Sequence, residues 1–287
     1  MLNTQSVLRF SKMHGLGNDF VMLDCRERLM PLDTMQLRAL SNRRTGVGFD
    51  QLLSIEPARD PACAFAYGIW NADGSLVGQC GNGVRCVAAW LHRAGLLALD
   101  TTVRLQSPSG PVSVRLLGPT EVTVDMGEPV FDLPRIPFLA DAVAPLYTVD
   151  VGGEEVQISA LSMGNTQGVL SVDDLDDPRV ARLGPLLTMH PRFPEQANIA
   201  VVQKLDRSHV RMHEHERGAG WTQACGSGAC ATVVALRQRG EVDAEVEVRM
   251  PGGALRISWP GVGEPVWMTG PAAFVFEGEW PIPERAL

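Results

Sequence analysis

The sequence predicts an α+β fold of two similar domains related by a pseudo-twofold axis, each with antiparallel strands wrapped around a central helix. Three observations predict it. A cysteine-glycine motif occurs twice, as CGNGVRCVAAWLHRAG at 80–95 and as CGSGACATVVALRQRG at 225–240. Polar landmarks precede the two copies at closely matching distances. Short stretches rich in β-branched residues and bounded by turn residues follow each copy.

The internal repeat reaches far back from each cysteine. Asn18 lies 62 residues before Cys80, and Asn165 lies 60 residues before Cys225. The alternative explanation is that the two glycine-rich turns are unrelated. Chance readily explains one landmark at a matching distance, but it explains several poorly. The remaining landmarks that keep step are Gln51 with Asn198, and Asn71 with Glu216-Arg217.

Helices are predicted from their ends. The stretch after each cysteine motif lacks strand alternation and stops at a glycine, Gly95 or Gly240, which suits the position just past a helix. A third helix is predicted for TMQLRALSNRR, because Asp33 before it can act as an N-cap. Strands are predicted for VRLQ, PVSVRLL and EVTVDMG within 103–127, and for VEVRM, ALRISW, PVWMTG and AFVFEGEW within 246–280.

Composition and charge exclude several functions. The chain has 287 residues, is 45% hydrophobic and 20% charged, and carries a formal charge of −8 without a Lys/Arg stripe, which argues against nucleic-acid binding. Its apolar runs are too short to span a membrane, and its beginning lacks the apolar core of a signal peptide. We therefore expect a cytoplasmic protein with reduced cysteines. That compartment disfavours structural disulfides, and the missing CxxC spacing of the cysteine pairs disfavours a zinc site.

Two of the cysteines are placed for chemistry. A cysteine at a helix N-terminus meets free N–H groups and the positive end of the helix dipole, which lower a thiol pKa and can bind an anion. Pseudo-twofold symmetry would bring both helix ends face to face across a cleft, with one thiol on each side of a substrate α-carbon. That arrangement suits racemisation, in which one thiolate removes the α-proton and the opposite thiol delivers another.

Other residues receive plainer interpretations. Only Lys12 and Lys204 are available for a Schiff base, which makes a pyridoxal enzyme less favoured. His213 and His215 alternate on a predicted strand, and a solvated strand face is favoured over a metal pair because no third ligand is evident. The cysteines predicted to be small core residues are Cys25, Cys63, Cys86 and Cys230.

Nine motifs run nearly from end to end of the chain: KMHGLGNDF, GFDQL, NADGS, QCGNGVRC, SMGN, RFP, ERGAG, ACGSGACA and MTGPAAFVFEGE. In this order they resemble the diaminopimelate epimerase family. The resemblance implies a two-domain fold without cofactor or metal, interconversion of LL- and meso-diaminopimelate for lysine and peptidoglycan precursors, and a homodimer. It also implies that the final strand returns to the first domain, so we expect domains of 1–126 plus 271–287 and of 127–270.

The resemblance also implies roles for individual residues. Cys80 and Cys225 correspond to the two acid/base cysteines. The backbone cradle for the reacting carboxylate corresponds to Gly81-Asn82 and Gly226-Ser227. Gln51 lies in a motif close to the site. The clamp on the distal amino acid end of the substrate corresponds to Asn18, Asn71, Asn165, Asn198, Glu216 and Arg217.

Three positions depart from the family pattern. Thr166-Gln167 stands where the family has Pro-His, and Trp221 and Leu76 stand where it has Glu. Drift outside the reacting residues is the favoured interpretation. A racemase of another amino acid, such as histidine, and a non-catalytic amino-acid-binding protein are the alternatives. Two cysteines argue against the binding protein, which needs no thiol on either face of a ligand.

Overall fold

The computed structural model describes residues 7–78 and 80–282. The ends of the predicted first domain, 1–6 and 283–287, and Gln79 of the QCGNGVRC motif lie outside the described residues. Contacts divide the described chain into two units: the residues up to Val124 with those from Pro271 onward (unit 1), and Asp125–Gly270 (unit 2). The predicted boundary after residue 126 is close to this division, and as a boundary between two repeated halves it stays a prediction.

Unit 1 wraps its strands around a helix. Its strand order is β17-β1-β2-β3-β4-β5-β6-β7, and α2 contacts β1, β2, β3 and β6. The elements are β1 (Val7–Gly15), β2 (Asn18–Asp24), α1 (Thr34–Ser41), β3 (Gln51–Glu56), β4 (Phe65–Asn71), α2 (Gly81–Arg93), β5 (Thr102–Ser107), β6 (Gly110–Leu116), β7 (Glu121–Asp125) and β17 (Ala273–Pro281).

Unit 2 repeats this plan. Its main strand order is β8-β9-β10-β11-β12-β14-β15-β16, with β13 also paired to β12, and α4 contacts β9, β10, β11 and β15. The elements are a short 3₁₀ helix (Leu133–Arg135), β8 (Tyr147–Asp150), β9 (Glu155–Ser162), β10 (Thr166–Val172), α3 (Arg179–Thr188), β11 (Asn198–Lys204), β12 (His209–Glu216), β13 (Gly220–Thr222), α4 (Gly226–Gln238), β14 (Glu245–Met250), β15 (Gly253–Ser258) and β16 (Trp267–Pro271).

The α+β class with strands around a central helix is confirmed, but the strands are not all antiparallel. The pairs β2–β3 and β4–β5 are parallel in unit 1, and β10–β11 and β12–β14 are parallel in unit 2. Two parallel neighbours cannot be joined by a hairpin and need a crossover connection. Each of the four helices lies in one of these connections, which is why the sheets are mixed.

The two central helices are almost wholly buried, whereas α1 and α3 each cover the outer side of their sheet. Helix α1 starts at Asp33 with a reciprocal capping box to Gln36 and buries Leu37 and Leu40. Helix α3 was not predicted from the sequence, and it contains Pro185. The predicted ends of α2 and α4 are confirmed, with Gly95 and Gly240 at φ +74 and +73 just beyond them.

The last strand is part of unit 1. Strand β17 pairs antiparallel with β1, from Val7 opposite Pro281 to His14 opposite Ala273. All six cysteines are free thiols, and the four that were assigned to the core are buried. Among the described residues, no helix has both the length and the apolarity needed to cross a membrane.

Candidate active site

The polar landmarks of the repeat lie at corresponding strand ends. In unit 1, Asn18 and Gln51 begin β2 and β3. In unit 2, Asn165 directly precedes β10 and Asn198 begins β11. Because β2–β3 and β10–β11 are parallel pairs, the start of each strand lies at the same edge of its sheet. At that edge the two antiparallel partner strands end, β4 at Asn71 and β12 at Glu216.

Cys80 caps helix α2. Its backbone is extended, with φ −146 and ψ 110, and the Gly83 N–H donates to its Sγ over 3.4 Å. The thiol lies 3.7 Å from Oδ1 of Asn18, and the Asn82 amide donates to that same oxygen over 3.4 Å. A serine-like cap role explains why a cysteine can begin this helix. It also leaves the sulfur beside the first-turn N–H groups.

A buried arginine supports this first turn from within. Arg85 is 0% exposed, and it donates to Oδ1 of Asn82 over 3.0 Å and to the Gly81 carbonyl over 3.3 Å. It also donates to the Pro271 carbonyl over 3.1 Å. Arg85 therefore fixes the amide of Asn82 and places a positive charge beneath the turn that starts at Cys80.

Gln51 and Asn71 form a second polar pair in unit 1. They are direct partners across β3 and β4, and Nε2 of Gln51 donates to Oδ1 of Asn71 over 3.1 Å. The Asn71 amide donates to Oγ of Ser75 over 3.0 Å. Oε1 of Gln51 is buried without a hydrogen-bond partner among the described residues. The pair is thus oriented, with one acceptor left for a ligand.

Cys225 caps helix α4 in the same way. Its φ is −131 and its ψ 115, and the Gly228 N–H donates to Sγ over 3.4 Å. Oγ of Ser227 lies 3.4 Å from the same sulfur. Both cysteines are therefore N-caps, as the sequence predicted. Cys225 is the more enclosed of the two, being only 6% exposed, whereas Cys80 is half-buried.

Gln167 holds the surroundings of Cys225 in place. Its Nε2 donates to Oγ of Ser227 over 3.1 Å and to Oδ1 of Asn165 over 2.9 Å. The side chain is 0% exposed, and its Oε1 has no partner among the described residues. Gln167 thus links two predicted site residues. It orients them by hydrogen bonds and, unlike a histidine, has no proton to exchange near neutral pH.

Asn198, Glu216 and Arg217 are brought together at the ends of β11 and β12. The Arg217 N–H donates to Oδ1 of Asn198 over 2.9 Å, and its guanidinium donates to the Glu195 carbonyl over 2.7 Å. Thr222 donates to Oε1 of Glu216 over 2.6 Å. Burial raises the pKa of Glu216, and the Thr222 hydroxyl and the Cys225 thiol partly offset the rise.

The thiol of Cys225 does not behave as the helix terminus alone predicts. Burial, followed by the carboxyl groups of Glu214 and Glu216, raises its pKa well above the usual value. The contacts with Ser227 and the Gly228 N–H act in the opposite direction but do not cancel the rise. The expectation of a lowered thiol pKa is therefore wrong for Cys225, because burial and two carboxyls outweigh the helix terminus.

Glu214 is the residue that sequence reasoning missed. It is 1% exposed, and neither carboxyl oxygen has a hydrogen bond of good geometry among the described residues. Burial and then Glu216 raise its pKa well above the usual value. The signal that could have found it is strand alternation. On β12 it follows the buried Val210 and Met212 at every second position, on the face that packs inward.

Trp221 and the histidine pair lie on the opposite face of β12. The Trp221 ring is 5.2 Å from that of His215 and 6.3 Å from that of His213. His215 also hydrogen-bonds to Thr188 of α3 over 2.8 Å. Within the described ranges, no group of three or more His, Cys, Asp or Glu side chains could hold a metal ion. Leu76 is exposed.

Solved structures share this fold at low sequence identity. A hydroxyproline epimerase from Agrobacterium vitis superposes with a TM-score of 0.69 at 17% identity, covering 97% of this chain and 93% of that one. A PhzF-family phenazine biosynthesis protein from Bacillus anthracis gives a TM-score of 0.67 at 16% identity, covering 96% and 99%. At these identities the likeness shows the fold alone.

Sequence comparisons identify the family of this chain. A family model described as Diaminopimelate epimerase matches residues 10–132 and 159–275. A diaminopimelate epimerase from Ectopseudomonas mendocina is 48% identical over 273 residues, covering 95% of this chain and 99% of the relative. One from Xylella fastidiosa is 50% identical over 275 residues, covering 95% and 96%. The chain belongs to the diaminopimelate epimerase family.

Proposed function

We propose that this protein interconverts LL- and meso-diaminopimelate by a two-base mechanism that uses Cys80 and Cys225. The observation that carries the proposal is that both cysteines are N-caps of buried helices that open with glycine. Relatives named diaminopimelate epimerase, at 48% and 50% identity over nearly the whole chain, support the substrate. They do not favour the alternatives of a histidine racemase or a binding protein.

The chemistry needs a base on one face of the α-carbon and an acid on the other. One cysteine thiolate takes the α-proton, so the C–H bond breaks and an S–H bond forms. The other cysteine thiol then gives its proton to the opposite face of the carbon. The pair ends with thiol and thiolate exchanged, and no net proton is gained or lost.

The helix ends supply the stabilisation that the carbanion requires. Negative charge that develops on the α-carbon spreads onto the reacting carboxylate. We propose that the N–H groups of Gly81-Asn82 and Gly226-Ser227 receive this carboxylate, because first-turn N–H groups lack partners within their helix. Such preorganised donors are worth about 3 kcal/mol each in transition-state stabilisation.

The distal end of the substrate selects diaminopimelate. Arg217 suits the distal carboxylate, and Glu216 suits the distal ammonium. Oε1 of Gln51 and Oε1 of Gln167 are buried acceptors without partners among the described residues. A substrate that lacks the second amino acid end leaves such groups unpaired, which disfavours it. Asn18, Asn71, Asn165 and Asn198 complete this proposed clamp.

No step in this mechanism uses a cofactor or a metal. Lys12, one of the two lysines, is occupied structurally, since its Nζ lies 2.6 Å from Oδ2 of Asp19 and also donates to the Gly48 carbonyl. We further propose a cytoplasmic location, a homodimer, and a place in the synthesis of lysine and peptidoglycan precursors. These proposals follow from the family.

The test follows α-proton exchange by NMR in D₂O with reduced protein. LL-diaminopimelate and L-histidine are offered separately, and chiral analysis identifies the products. We expect exchange and inversion of diaminopimelate alone. Cys80→Ala and Cys225→Ala should each abolish inversion. Cys86→Ala and Cys230→Ala, which remove buried thiols from the same two helices, should retain it. Full inversion by either of the first two variants would contradict the two-base mechanism.

A further inference from the structure

A buried carboxyl group lies directly against the helix turn that begins at Cys225. Glu214 is 1% exposed, and a Cβ added at Gly228 would come within 2.5 Å of both Cδ and Oε1 of its carboxyl. The Cys225 thiol is close enough to favour the charged carboxylate, although no hydrogen bond of good geometry joins them. Glu214 thus has no partner of its own to neutralise it.

The two copies of the repeat differ in the charge that is buried next to the start of their central helix. Glu214 stands 11 residues before Cys225, and the residue 11 before Cys80 is the buried Ile69. Five residues after Cys80 stands the buried Arg85, whereas five residues after Cys225 stands Cys230. The first turn of α2 therefore lies on a buried cation, and the first turn of α4 lies on a buried carboxyl group. The duplicated fold is asymmetric in charge at its two thiols.

We propose that Glu214 keeps Cys225 protonated between turnovers, so that the resting enzyme presents Cys225 as the acid and Cys80 as the base. The proposal deepens the proposed two-cysteine function and rests on it. Glu214 gives up its proton before the thiol does, because a carboxyl is intrinsically the stronger acid. Its negative charge then opposes a second negative charge on the adjacent sulfur. Glu214 acts through Cys225 and is a positioning residue for the proton.

Glu214 and Cys225 have few charged neighbours on the elements that pack against them. On β12 itself, Glu216 faces Glu214 and adds to the negative charge. His213 and His215 occupy the alternating positions of the strand and point to its other face. The direct neighbours on β11 and β13 are Ala200 and Thr222, which carry no charge. At the start of α4, the thiol of the N-cap Cys225 acts on Glu214.

The test measures the protonation of each cysteine by ¹³C NMR of the Cβ atoms during a pH titration. Cys80→Ser and Cys225→Ser assign the two resonances. In the wild type, we expect Cys225 to keep its proton to a higher pH than Cys80. Glu214→Gln should lower the midpoint of Cys225 by about one pH unit or more, a tenfold gain in thiolate, and leave Cys80 unchanged. Glu155→Gln, which removes an exposed carboxylate from the same unit, should shift neither.

Two results would overturn the proposal. One is an unchanged Cys225 midpoint in folded Glu214→Gln protein. The other result is measured on the wild-type protein: Cys225 loses its proton at or below the pH at which Cys80 loses its own. Neither readout depends on turnover. Failure of the proposed function, which inversion by Cys80→Ala or Cys225→Ala would reveal, is therefore a separate outcome.

Discussion

Replacing Gly228 by alanine tests where the Glu214 carboxyl lies. The added Cβ would come within 2.5 Å of Cδ and Oε1 of Glu214, so the buried carboxyl must move. Overpacking of this kind costs about 1–3 kcal/mol. Alanine is favoured over glycine within a helix by up to about 1 kcal/mol. The net expectation is a loss of about 1–2 kcal/mol in the free energy of unfolding, measured by urea denaturation.

The internal repeat offers a matched control for this prediction. Gly83 is the counterpart of Gly228, and a Cβ there would lie 3.3 Å and 3.4 Å from the Leu53 methyls and 3.5 Å from the Cys80 Cβ. Gly83→Ala should therefore change stability by less than about 1 kcal/mol. In a Glu214→Ala background, Gly228→Ala should become neutral or stabilising. An equal cost at both glycines, or a cost that survives Glu214→Ala, would refute the reasoning.

Three further predictions concern charged residues. Arg85→Met should lower the free energy of unfolding by about 2–4 kcal/mol, because Asn82 loses a buried hydrogen-bond donor. A free energy from urea denaturation within about 0.5 kcal/mol of wild type, roughly the effect of a neutral surface change, would contradict this. Burial raises the pKa of Asp19, but hydrogen bonds from Arg43 and Lys12 outweigh it and hold the pKa far below its usual range. Asp19→Asn should therefore lower the free energy of unfolding by about 2–4 kcal/mol at pH 7. This difference from wild type should shrink as the pH falls below about 4 and through the folded-state pKa of Asp19. A difference that does not change with pH would show that the ion pairs of Asp19 are not its cause. Arg217→Met should lower kcat/KM for diaminopimelate about 100-fold and leave the melting temperature within about 2 °C of wild type. A large fall in melting temperature together with the loss of activity would show that this exposed residue is structural.

Local signals in the sequence located the elements that carry the site. The helices after Cys80 and Cys225 were predicted because both stretches lack strand alternation and stop at a glycine, a local pattern that needs no tertiary information. The repeat singled out Asn18, Gln51 and Asn198 as landmarks, but the strands that they begin were not predicted. Parallel pairing was missed, because the partner of a strand is set by contacts distant along the chain.

The residues that escaped prediction are those whose surroundings override local preference. Helix α3 contains Gly184 and Pro185, which are poor helix formers, and its buried Leu183 and Leu187 stabilise it by packing. The repeat itself could have revealed it, since α1 and α3 begin at the same distance before their cysteines. Glu214 stands between two histidines in HEHE, which has the composition of a solvated strand. Alternation with Val210 and Met212 puts it on one face of the strand, but the local composition does not report that α4 covers that face.

The pairing of the first and last strands has a consequence for synthesis. Strand β1 ends at Gly15, but its partner β17 begins only at Ala273. At 5–20 residues per second the ribosome needs roughly 10–50 s to make the chain between them. During that time one edge of the nascent β1 has no partner, and an unpaired edge is a template for aggregation. The contiguous segment Asp125–Gly270 emerges complete before β17, so nascent unit 1 is the part of the chain that chaperones have most reason to protect.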